Sequence, residues 1–104
     1  YPGLASDPGY ELARKQNPAG VGGVLSFQVA TEEAAIELTT RTRLFALAAS
    51  LGAPESLIEH PAIMTHSTRV GGVGGVPGTL LRLAVGLEDA NDLIADLDRA
   101  LAQI

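Results

Sequence analysis

A guanidinium set in the middle of an apolar strand is the chemical anomaly of this chain. Thr79 to Val85 reads TLLRLAV, with Leu81, Leu83 and Val85 on one face and Leu80, Arg82 and Ala84 on the other. Arginine is rarely enclosed without a partner, so Arg82 either projects from an open sheet face or meets a buried anion. The remaining polar residues offer less. His60 and His66 lie six apart in a loop, with Pro61 beside the first and no third ligand in sight, and they read as loop-packing residues rather than metal ligands or bases. Ser50 has no histidine at an informative spacing and lacks the nucleophile-elbow pattern. Gly20-Val21-Gly22-Gly23 and the run from Gly71 to Gly75 do not follow dinucleotide spacing, and neither leads into Lys-Ser or Lys-Thr, so these are turn glycines. Glu55, Glu59, Glu88 and Asp89 are ordinary loop and helix-start acids. The one lysine, Lys15, sits beside Arg14 as a solvated surface charge.

The elements that must position Arg82 follow from local pattern. Asp7-Pro8 predicts an N-cap and a helix running from Pro8 to about Gln16. Gly20 to Gly23 break the chain, and Val24 to Val29 alternates as a half-buried strand. Thr31, followed by Glu32-Glu33, starts a helix that should reach about Thr42. Leu44 to Ala48 is a short second strand. Ser50 to His66, with Gly52, Pro54 and Pro61 close together, reads as an ordered loop. Val70 to Gly78 is a glycine-rich connection to the third strand, Thr79 to Val85. Asp89 opens a last helix with an apolar stripe of Ala90, Ile94, Leu97, Leu101 and Ile104. That order predicts an α+β fold in which helices cover one face of a small, mainly antiparallel sheet, the other face remaining open.

Composition narrows the function classes. A chain of 104 residues, 46% hydrophobic, suits one domain spanning 1–104. A formal charge of −5, seven scattered basic residues and 4% aromatic residues disfavour nucleic acid as a partner. The absence of cysteine removes disulfides, a thiolate nucleophile and a Cys-based metal site, so no metal is expected. No apolar run is long enough for a membrane helix, and a cytoplasmic location is expected. The start Tyr1-Pro2-Gly3 is neither signal peptide nor initiator methionine, which leads us to expect a piece of something longer.

The segments SLGAPESLIEHPAIMTH and LLRLAVGLEDANDLIADLDRAL, with YPGL, GGVLSFQV and LFALAASLG, resemble the C-terminal end of the Cys/Met-metabolism family of pyridoxal-phosphate enzymes. That family includes cystathionine γ-synthases, cystathionine γ-lyases and methionine γ-lyases. The resemblance implies the C-terminal small domain of a fold-type I enzyme: an antiparallel sheet with helices on one side, packed against a large cofactor-binding domain and closing one side of the active site. It implies that Arg82 matches the arginine of the family's LxRLSVGxE segment, which pairs with the substrate α-carboxylate. Ser50 matches the serine of SLGG, whose backbone and hydroxyl lie beside that carboxylate. Thr65, in the MTH motif, would line the site wall.

Three departures accompany the match. Many lyases and synthases of the family carry glutamate where this chain has Ala49, which marks Ala49 as a specificity position and puts cystathionine in doubt as preferred substrate. The segment between His66 and Arg82 is glycine-rich where the family is commonly charged. Asp7 stands where histidine is frequent. The resemblance further implies that pyridoxal 5'-phosphate and its Schiff-base lysine belong to the large domain. This chain would then hold no catalytic or cofactor-binding residue of its own, and the isolated 104 residues would be inactive. An amino-acid substrate, the large domain and a homotetrameric parent are the implied partners. Whether that parent is a synthase, a lyase or a sulfhydrylase stays open. The alternative class is a free-standing, non-enzymatic α+β module that binds an amino acid or regulates a partner.

Overall fold

Hydrogen-bonding residues at the helix starts and alternation along the strands account for most of the architecture. The computed structural model describes residues 1–65 and 75–104. The elements in chain order are α1 (Tyr10–Gln16), β1 (Val24–Gln28), α2 (Glu32–Arg41), β2 (Ala46–Leu47), β3 (Leu57–Glu59), α3 (Pro61–Met64), β4 (Leu80–Ala84) and α4 (Ala90–Leu101). The fold is α+β, as the sequence pattern requires. Among the described residues no helix is long and apolar enough to cross a membrane.

Two of the expected caps form. Thr31 Oγ1 accepts from the Ala34 N–H at 3.1 Å, and Asp89 Oδ1 accepts from Asn91 and Asp92 at 2.8 and 3.3 Å. The first helix starts later than Pro8, because Asp7 spends its carboxylate differently. Its Oδ1 accepts from the Gly9 N–H at 2.7 Å, a turn that closes before the helix begins, and its Oδ2 meets the N-terminal ammonium at 3.1 Å. The Gly9 N–H, the hydrogen bond from the chain's own ammonium and the charge of that ammonium hold the Asp7 carboxyl below its usual range, against the opposing effect of burial.

The sheet has four strands in the order β1-β4-β3-β2. β4 pairs antiparallel with both β1 and β3, and β2 adds to β3 in parallel at the edge, so the sheet is mixed rather than purely antiparallel. The strand missing from the pattern reading is β3, inside the stretch read as a loop. Gly52 and Pro54 do interrupt the chain there, but Leu57, Ile58 and Glu59 follow as three successive buried residues in the middle of the sheet. A central strand this short shows no alternation, since both of its faces are covered. β2 shrinks to Ala46–Leu47 from the longer Leu44–Ala48 expected.

Leu25, Phe27, Ile58, Leu81 and Leu83 present one sheet face to Ala35 and Leu38 of α2 and to Leu93 and Ala100 of α4. Register explains the match: Leu25 faces Leu83 and Phe27 faces Leu81 across β1 and β4, and Ile58 faces Leu83 across β3 and β4. The stripe on α4 is rotated from the one read off its aliphatic residues. Leu93, Asp96 and Ala100 are the buried positions, while Ile94 and Leu101 lie 58% and 40% exposed. An aspartate occupies the inward face, and a pattern that counts only apolar residues drifts around the helix to avoid it.

Past β4, Gly86 is set where the chain passes closest to Pro54 and Glu55. A Cβ at Gly86 would collide with the Pro54 carbonyl oxygen and stand 2.6 Å from the Glu55 carbonyl carbon. Gly86→Ala should therefore lower stability by about 1 to 3 kcal/mol, the range for forcing extra atoms into a packed region. A denaturant titration of wild type and variant measures it.

Candidate functional site

The alternation that sends Leu81 and Leu83 into the core sends Arg82 to the opposite sheet face. Register there places Ser26 of β1, Arg82 of β4 and Glu59 of β3 in one cross-strand row. The Arg82 side chain leans over β3 towards the chain that leaves β2. Its Nη2 donates to the Ser50 carbonyl oxygen at 3.0 Å and lies 2.6 Å from Glu59 Oε2. The second contact is an ion pair whose N–H bonds do not aim at the carboxylate, and neither Glu59 oxygen accepts an aligned hydrogen bond among the described residues. The Glu59 side chain is 1% exposed and that of Arg82 22% exposed, so the row grades from an enclosed carboxylate to a guanidinium that solvent or a ligand can reach.

Of the two alternatives for Arg82 the structure realises the second: the sheet face it leaves is not the open one expected, since Leu57, Glu59 and Ala84 on that face are buried, and the guanidinium meets the enclosed Glu59 carboxylate. Of the sequence-level candidates, Arg82 and Ser50 are brought into contact, through the serine's backbone. Ser50 and its neighbour Ala49 are exposed. Thr65 ends α3, its hydroxyl 3.4 Å from the Pro61 carbonyl oxygen, and α3 packs against β4. The residue that sequence reasoning passed over is Glu59, taken for an ordinary loop acid. The signal that would have found it is its place between Ile58 and His60 in an otherwise apolar, strand-compatible SLIEHPA.

His60 is a packing residue, as expected. It is 3% exposed and its Nε2 lies 2.5 Å from the Gly78 carbonyl oxygen. A carbonyl can only accept, so Nε2 carries the proton there. The contact ties the start of α3 to the chain that enters β4. His66 and the segment 66–74, including most of the glycine-rich connection, lie outside the described residues.

A second polar cluster braces the loop that carries Gly86. The Glu88 carboxylate accepts from the Ser56 N–H and hydroxyl, both at 2.9 Å, and Ser56 Oγ accepts from the Gly86 N–H at 2.8 Å. The Ser56 N–H and then the N–H of Glu88 itself hold the Glu88 carboxyl below its usual range. The Ser56 hydroxyl assists, against the opposing effect of burial. With every strong group internally matched, this cluster is structural.

The row around Arg82 offers a carboxylate, a guanidinium and a backbone carbonyl. That set suits an anionic ligand, which a planar two-pronged cation can hold by two parallel hydrogen bonds. It does not suit an aldehyde cofactor that needs an amine. The chain's one lysine, Lys15, is exposed in the last turn of α1.

Residues 1–102 match the family described as Cys/Met metabolism PLP-dependent enzyme. The chain belongs to that family. It is similar to cystathionine gamma-synthase of Mycobacterium tuberculosis, 51% identical over 102 residues that make up 97% of this chain and 26% of that protein. It is also similar to cystathionine gamma-lyase of Bacillus subtilis, 45% identical over 107 residues, covering all of this chain and 28% of that protein. Among solved structures, metB from Corynebacterium glutamicum superposes with a TM-score of 0.90 at 46% identity, over 99% of this chain and 27% of that one. Cystathionine gamma-lyase from yeast superposes with a TM-score of 0.88 at 44% identity. The chain thus spans about a quarter of the length of the curated relatives it matches. The resemblance read from the sequence and the fold-type I assignment both hold, and the family's cofactor is pyridoxal phosphate.

Proposed function

We propose that this chain is the C-terminal small domain of a pyridoxal-phosphate enzyme catalysing γ-elimination or γ-replacement on sulfur amino acids or activated homoserine, and that its part is to hold the substrate's α-carboxylate. The observation that carries the reading is Arg82 itself: a guanidinium mounted on a central strand, on the sheet face away from the core, with one nitrogen already fixed on the Ser50 carbonyl oxygen at 3.0 Å. A strand is a rigid mount, and a fork held at one end meets a carboxylate in one orientation. Relatives named as cystathionine gamma-synthase and gamma-lyase support the reaction class.

On this reading Arg82 binds and orients, the chain around Ser50 fixes the fork, Thr65 lines the wall, and Ala49 bears on which substrate fits. On the same reading the Schiff-base lysine and the phosphate-binding groups belong to a large domain outside this chain.

The test uses the chain alone. Mixed with pyridoxal phosphate and L-cystathionine or L-methionine, the isolated 104 residues should produce no turnover, because Lys15, the chain's one lysine, stands exposed on α1 and is not one of the residues of the Arg82 row. Product formation by these 104 residues, followed as released thiol or α-keto acid, would overturn the domain assignment. A non-specific adduct at Lys15 would change absorbance without product.

A further inference from the structure

Glu59 is an unusual residue for the middle of a sheet. It is 1% exposed, it stands at the centre of the strand order, and among the described residues neither of its oxygens accepts an aligned hydrogen bond. A buried carboxylate with a single ion-pair contact is a poor stabilising device, since removal from water costs more than one imperfect contact returns. What it does achieve is geometric. Glu59 Oε2 and the Ser50 carbonyl oxygen both stand at Nη2 of Arg82, at 2.6 and 3.0 Å, and so constrain one end of the guanidinium from two sides. The Nε of Arg82 is buried and has no acceptor among the described residues. The fork is held at Nη2, and with Nε enclosed a ligand can meet it only through the part of the side chain that remains exposed, 22%.

We propose that Glu59 is the positioning residue for Arg82: it sets the plane of the guanidinium so that its exposed part meets an incoming α-carboxylate in a single orientation. This rests on the reading of Arg82 as the carboxylate clamp. The argument is one of preorganisation. Arginine carries many rotamers, and a ligand that must first gather them binds more weakly than one that meets a fork already aligned. Glu59 touches no substrate atom on this account and acts through Arg82.

The experiment uses the full-length enzyme carrying this chain, with L-alanine and L-alaninamide as probes that differ in the carboxylate alone, titrated calorimetrically. Glu59→Gln keeps the shape and removes the charge. It should weaken L-alanine about ten-fold, the equivalent of about 1.4 kcal/mol, while leaving L-alaninamide within about two-fold. In turnover it should raise KM by about ten-fold with kcat within about three-fold, the signature of lost binding shared by ground and transition states. Glu59→Asp, one methylene shorter, should fall between, and it carries the test should the glutamine variant not fold. In an Arg82→Lys background Glu59→Gln should add little, because the fork to be aimed is gone. Parental L-alanine affinity in both Glu59 variants would overturn the inference, as would tighter binding, which would make Glu59 a competitor for the arginine. If replacing Arg82 itself leaves the preference for L-alanine over its amide unchanged, the clamp reading fails instead, so the two failures are distinct.

Discussion

With Arg82 as the proposed carboxylate clamp, its replacement by alanine in the full-length enzyme should lower kcat/KM for amino-acid substrates by roughly 30-fold to several thousand-fold. The range follows from about 2 to 5 kcal/mol for leaving a carboxylate unpaired in a partly desolvated site, at about 1.4 kcal/mol per factor of ten. The structure adds a second consequence. Glu59, 1% exposed, loses its counter-charge in the alanine variant, and an uncompensated buried carboxylate is itself destabilising. Arg82→Lys separates the two effects. It keeps a positive charge near Glu59 but loses the planar fork, so stability should be largely retained while kcat/KM recovers only in part. The double variant Arg82→Ala with Glu59→Gln removes both charges, and should regain stability over Arg82→Ala without regaining activity. Steady-state kinetics and a denaturant titration on the four proteins decide it. Near-parental kcat/KM in Arg82→Ala would return Arg82 to a surface charge paired with Glu59 and nothing more.

The parts of this fold that could be read in advance are those where one residue type has one use. Thr31 and Asp89 cap helices because their side-chain oxygens match free N–H groups at those positions, and alternation in Val24 to Gln28 and Leu80 to Ala84 reports one covered face for each strand. Arg82 was visible for the same reason: a charge interrupting such an alternation is informative. The parts that escaped are those where tertiary packing overrides local pattern. Leu57 to Glu59 is strand because β4 and β2 flank it, and no periodicity exists in three buried residues. Glu59 looks like a surface acid until Arg82 is known to stand opposite it. The α4 stripe was misplaced by one position because Asp96 faces inward, and polarity alone assigns aspartate to solvent. The Ser50–Arg82 contact joins positions 32 apart and rests on the sheet order, which no local signal encodes.

Asp96 explains its own inward position, and its replacement should be the most damaging single change to the fold of this chain. The carboxylate, 6% exposed, receives the N–H groups of Arg43, Leu44 and Phe45, the closest contacts being 2.9, 2.8 and 3.3 Å, and Arg99 Nη2 at 2.5 Å. It thereby ties α4 to the turn between α2 and β2, where among the described residues it is the acceptor for three successive N–H groups. Asp96→Ala removes the acceptor of those donors, of which the Phe45 N–H is buried, and leaves Arg99 with the Arg41 carbonyl oxygen alone, a cost of about 2 to 4 kcal/mol by the scale for unsatisfied donors and broken partly buried pairs. Amide exchange should show it directly, with the Arg43, Leu44 and Phe45 N–H groups losing protection while β4 keeps its own. Asp96→Asn keeps an acceptor and should fall between. The pH dependence has a definite sign. Burial alone would raise the Asp96 carboxyl, but the N–H groups of Leu44 and Arg43, the Arg99 guanidinium and the Phe45 N–H outweigh it and hold the group below its ordinary value of 3.8. A carboxyl whose folded value is depressed binds its proton more readily when unfolded, so its contribution is complete above that ordinary value and is lost as pH falls through the lower, folded one. The wild-type advantage over Asp96→Asn should therefore be constant near neutrality and shrink only in strong acid. An advantage that vanished already around pH 5 to 6 would show that Asp96 is not held ionised by these donors, and that the turn between α2 and β2 is secured in another way.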